Sequence, residues 1–105
     1  MITLKQGDTR HAIKATLKDV NGSPVDLTGA SVRFTMATRH REMIVDKEAI
    51  LQDGQAWVVF EAGETDVTGL LEGEFRVSYP DSRVEAFPHD SYIQIKILRN
   101  QGGVL

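Results

Sequence analysis

Three histidines, His11, His40 and His89, are the side chains best able to bind a metal or move a proton near neutral pH. They are scattered, and each sits beside an expected turn or strand end. A zinc centre needs three or four ligands converging within about 2.3 Å of the metal. No spacing here provides that set, so the histidines read as solvated loop residues. In His89-Asp90-Ser91 a hydroxyl follows an imidazole by two positions, which in an extended chain points both the same way. A serine nucleophile also needs a base held in place by a third group. Neither a nucleophile elbow nor a glycine-rich phosphate loop is present. Asp19, Asn21 and Asp26 offer oxygens, but a calcium site takes about 6–8 of them, and this is not the twelve-residue loop with its terminal Glu. Turn formation explains the same residues. Glu72 and Glu74 read as the solvated face of a strand. The expectation is therefore no catalytic residue, no metal site and no cofactor: not an enzyme.

Trp57 and Val59 carry a different chemistry, that of contact. In Gln55–Phe60, Ala56, Val58 and Phe60 share one face, and Trp57 and Val59 share the other. If the first set fills the core, an indole and a valine stand on the opposite side. Two readings stand. The pair forms a patch for a partner, since Trp is enriched at binding hot spots. Or it forms a second layer of core beneath Val67, Leu70 and Leu71 of the following crossover.

The elements that must position these residues follow from periodicity. The chain is organised around Pro24–Met36. There the turn Asp26-Leu27-Thr28-Gly29 launches a strand with Val32, Phe34 and Met36 on one face and Arg33 and Thr35 on the other. Leu27, the one apolar residue of the turn, is expected to plug the end of the core. Alternation predicts further strands at 2–5, 11–18, 73–80, 83–87 and 91–99. Asn21-Gly22 suits a type I′ turn, and Asp53-Gly54 marks a tight hairpin. Residues 43–52 alternate poorly and read as two segments around a bulge. Residues 61–71 leave room for at most one helical turn, with Thr65 as a cap, because Gly63 and Gly69 limit it. The count is about seven or eight short strands, which predicts an all-β, two-sheet antiparallel sandwich, immunoglobulin-like in architecture. Residues 1–99 form the expected single domain, and 100–105 the expected flexible tail.

Composition narrows the classes. The 105 residues suit one domain, and 41% hydrophobic with 26% charged residues suits a globular one. The net charge is -3 with acids and bases interleaved, so no basic stripe awaits phosphates and no nucleic acid is expected. No apolar run approaches the ~18 residues of a membrane span. No cysteine is present, so there is no disulfide framework.

Four segments, taken together, resemble a known family. They are Leu4-Lys5-Gln6-Gly7-Asp8-Thr9, Pro24–Phe34, Gly73–Asp81 and Phe87-Pro88-His89-Asp90-Ser91-Tyr92. In order and spacing they are similar to the N-terminal domain of phage baseplate upper proteins, over roughly Leu4 to Leu98. The resemblance implies an immunoglobulin-like β-sandwich in the distal tail of a phage or prophage. It implies a structural role through protein–protein contacts, made in the virion tail or baseplate and assembled in the host cytoplasm. Expected partners are other tail or baseplate proteins, with self-association a further candidate. The competing reading is a carbohydrate-binding sandwich recognising a cell-surface glycan, for which Trp57 and Tyr92 are the aromatics left outside the expected core.

Overall fold

A computed structural model describes residues 1–101. The nine strands are β1 (Ile2–Lys5), β2 (Ala12–Ala15), β3 (Ser31–Thr38), β4 (Met43–Glu48), β5 (Ile50–Gln52), β6 (Gln55–Val59), β7 (Gly69–Ser78), β8 (Val84–Phe87) and β9 (Ile93–Leu98). They form two sheets. A six-stranded sheet runs β1-β9-β7-β3-β4, with β8 also on β7, and a three-stranded sheet runs β2-β6-β5. All pairings are antiparallel except β1 with β9, which is parallel. The expected β-sandwich is therefore the observed one, with one parallel edge.

Between the sheets lies a continuous apolar core. Val32, Phe34 and Met36 of β3 are buried, as alternation requires, and pair across the ladder with β7, Phe34 directly opposite Phe75. The Phe34 ring lies 5.1 Å from that of Phe75 and meets Phe60, at the end of β6, edge-on at 6.4 Å. Such edge-on contacts between rings are favoured by their quadrupoles. Leu27 is buried at the end of this core. Its turn closes as the residue types dictate: the Asp26 carboxylate accepts the Thr28 N–H, and Gly29 takes φ 74°.

Several local readings are corrected. The ninth strand arises because 43–52 is one stretch of chain that changes sheets. The Ala49 N–H still donates to Val32 O, and Ile50 then begins pairing with β6 in the other sheet. A segment serving two sheets cannot keep one alternation. No helix occurs among the described residues. At 61–64 the chain makes a turn in which the Glu64 carboxylate, not Thr65, accepts the Glu61 N–H. Thr65 is instead fully buried, and its hydroxyl donates to Asp8 O, tying this crossover to the turn after β1. β7 starts at Gly69 rather than Gly73, so Leu70 and Leu71 are strand residues. Asn21-Gly22 is not a type I′ turn, since of the two only Gly22 has positive φ. The Asp19 carboxylate organises that loop by accepting the N–H groups of Asn21 and Ser23. Asp53-Gly54 does have both φ positive, and Gln52 pairs with Gln55 across it, as a two-residue hairpin requires. β2 is shorter than 11–18 and β9 shorter than 91–99. Asn100, within the expected tail, donates to Gln6, and residues 102–105 lie outside the described residues.

Lys47 locks the open edge between the sheets. β4 is an edge strand, and Lys47 sits opposite Phe34 on its inner side. The ammonium donates to Val59 O at the end of β6 and to Glu64 Oε1, both at 2.8 Å. An inward-pointing charge of this kind also blunts an edge against further strand pairing.

Candidate protein interface

The three-stranded sheet positions Trp57. β6 is its central strand, and direct cross-strand partners share a face. Lys14 of β2 and Ile50 of β5 flank Trp57, and Ala12 flanks Val59. This row lies on the outer side, because Ile13, Ala56 and Val58 are buried inward. Ile50 is 51% exposed and Val59 43%, while Trp57 is half-buried. Trp57 is no part of the core cluster of the described residues. The Lys14 ammonium sits 4.2 Å from the ring centroid, a cation–π contact, and the indole N–H donates to Gln55 Oε1. The indole is thus held in place with its polar atom satisfied, and an apolar surface continues through Ile50 and Val59.

Ile50 is the member of this patch that sequence reading missed. The Asp53-Gly54 turn pins Gln52 to Gln55 and hence Ile50 to Trp57, so the signal was present in the hairpin. The outer face of the larger sheet differs in character: Arg33 pairs with Asp46, and Glu72, Glu74 and Arg76 follow one another along β7.

The other residues singled out for chemistry are dispersed. His11 and His40 are exposed. His89 Nε2 lies 2.7 Å from Glu85 Oε2, and Glu85 Oε1 accepts the Tyr79 hydroxyl at 2.7 Å. His89 is thus engaged with Glu85, and among the described residues neither the Asp90 nor the Ser91 side chain has a hydrogen-bond partner. Burial, the hydrogen bond to Glu85 and the nearby charges of Glu85 and Asp81 push the Tyr79 phenol up to about 12. Asp19 and Asp26 each serve their own backbone, and the described residues hold no cluster of three or more metal-binding side chains. Trp57 and Tyr92 lie on the outer sides of different sheets, so they do not build one aromatic platform.

The two sheets place this chain in the class of β-sandwich modules, with an apolar row on the outer face of the smaller sheet. The BppU N-terminal domain family, that of the phage baseplate upper protein, matches residues 1–87, and this chain belongs to it. The match covers β1 to β8, and β9 completes the larger sheet beyond it. A methionine import ATP-binding protein, MetN, of Rhizobium etli is 31% identical over 77 residues. That alignment takes in 70% of this chain and 21% of the MetN protein, so the chain spans about a fifth of the curated relative's length.

Proposed function

We propose that this chain is a non-enzymatic assembly domain of a phage or prophage tail, and that it docks through the outer face of its three-stranded sheet. Residues 1–99 act as one rigid sandwich. The partner is another tail or baseplate protein, or a second copy of the chain, met in the virion after assembly in the host cytoplasm. Neither cofactor nor nucleic acid enters this reading. The observation that carries it is the apolar row Ile50, Trp57 and Val59 on the outer face of the smaller sheet, with Ile50 and Val59 exposed among the described residues. Tail symmetry multiplies such contacts, so each can be modest in strength. Family membership supports the baseplate setting. Nucleotide binding is not carried over from the MetN relative, because this sequence has no glycine-rich phosphate loop.

The test pairs thermal melts of Trp57→Ala with its sedimentation and its co-purification with the other tail proteins. Retained folding with lost association supports the reading. A variant that stays folded and associates as the parent does would remove this face from consideration.

A further inference from the structure

The outer face of the six-stranded sheet carries a second feature, far in kind from the Trp57 patch. β3 contributes two short side chains there, Thr35 and Ala37, and longer ones rise on both sides. On one side stand Met43 of β4 with Arg39 and Arg41 of the hairpin tip. On the other stand Glu72 and Glu74 of β7 with Tyr92. The result is a groove of about 580 Å³.

Its construction follows from register. Thr35 pairs with Glu74, and Ala37 pairs with Glu72 on one side and Met43 on the other. Along the far edge of β7, Phe75 pairs with Phe87 but Gly73 pairs with Ile93. One residue of β7, Glu74, therefore lies opposite five on the other side, and these five form the 88–92 loop. That loop sets Tyr92 just before β9, next to the ladder position facing Glu74. Tyr92 is 49% exposed and Met43 54%. The tip carrying the arginines is ordered: Thr38 Oγ1 accepts the N–H groups of His40 and Glu42.

Glu72 and Glu74 are half-buried, yet among the described residues neither carboxylate has a hydrogen-bond or ion-pair partner, and neither guanidinium does. The two carboxylates, partly withdrawn from water and left unpaired, and the two exposed guanidiniums beside them are placed for a ligand's hydrogen bonds. Two carboxylates balance two guanidiniums, so the groove selects neither a polyanion nor a polycation. It offers acceptors on one wall, donors on the other and an aromatic face at the rim. A polyhydroxylated neutral ring fits that set: its hydroxyls donate to Glu72 and Glu74, accept from Arg39 and Arg41, and its apolar C–H face lies on Tyr92.

We infer that this groove is a saccharide site, taking a short stretch of a neutral surface polysaccharide. The site is independent of the Trp57 face, which lies on the other sheet. The test is a microarray of bacterial surface polysaccharides probed with the full chain and with Tyr92→Ala, Glu74→Gln and Trp57→Ala. The expected result is binding to neutral glycans that falls about tenfold or more in the first two variants and persists in Trp57→Ala. Tyr92 and Glu74 lie on the surface, so both variants should melt as the parent does. Absence of binding to every glycan overturns the inference, as does binding that survives both Tyr92→Ala and Glu74→Gln. Binding of oligolysine in place of glycans, lost in Glu74→Gln, overturns it too, since the carboxylates would then serve a cationic protein segment.

Discussion

The ring of Phe34 lies against Gly73, so closely that a Cβ placed on the glycine would sit 3.2 Å from Phe34 Cε1 and 3.0 Å from Ile95 Cδ1. Gly73 is needed here for space and not for an unusual φ. Gly73→Ala is expected to destabilise by about 1–3 kcal/mol, the scale of overpacking. Phe34→Ala is expected to cost about 3–5 kcal/mol, a severe fraction of a typical total of roughly 5–15 kcal/mol. In the double variant Phe34→Leu with Gly73→Ala, the two changes should be less than additive, because the smaller side chain at 34 makes room for the added methyl, which fills part of the space left. Denaturant midpoints measure all three. An unchanged midpoint in Phe34→Ala would contradict the core described above.

The Lys47–Glu64 clasp predicts an acid-sensitive step in stability. Burial raises the Glu64 carboxyl, but hydrogen bonds from Lys47 and the Glu61 N–H, with the ammonium charge, outweigh it and hold it below its ordinary 4.5. A depressed carboxyl stabilises the fold above its unfolded value, and that contribution disappears as pH falls through the folded one. Stability should therefore drop below the ordinary 4.5, and Lys47→Met should flatten that part of the profile. Denaturant melts across the acid range read both. Identical acid limbs in parent and variant would refute the linkage.

Tyr79 gives the opposite limb. A phenol raised from 10.0 to about 12 keeps its proton longer in the folded chain than in the unfolded one. Its contribution is complete below 10 and is lost as pH rises toward the folded value. Ultraviolet titration should show a tyrosine ionising late, and Tyr79→Phe should abolish that late step.

Chelation of divalent metal should leave the melting temperature unchanged. Asp19 and Asp26 use their carboxylates on neighbouring N–H groups, which closes the turns without an ion. A marked fall in melting temperature with EDTA would reveal a site among these turns.

At the proposed interface, Trp57→Ala should change monomer stability by less than about 1.5 kcal/mol, since the indole lies outside the core, while weakening association by about 2 kcal/mol or more. Ile50→Ser should weaken association in the same direction, because Ile50 is 51% exposed and stands directly beside the indole. Sedimentation of both variants checks this, and association unaffected by either would count against the patch.

Much of this was decided locally. A period of two places Val32, Phe34 and Met36 on one face whatever lies beyond them, and Asp53-Gly54 closes a hairpin whose register follows from its two-residue turn. The all-β class, the Leu27 plug and the outward side of Trp57 and Val59 are consequences of such short-range rules. Other features depend on pairings between residues distant in sequence, where loop closure and packing choose among many compatible partners. The sheet change at Ala49, the burial of Thr65 against Asp8 and the reach of Lys47 to Val59 O are of that kind. So is the groove of Tyr92: alternation alone put Glu72 and Glu74 on a solvated face. Only the tertiary pairing of β7 with β3 on one side and β8 and β9 on the other walls that face with Met43 and Tyr92.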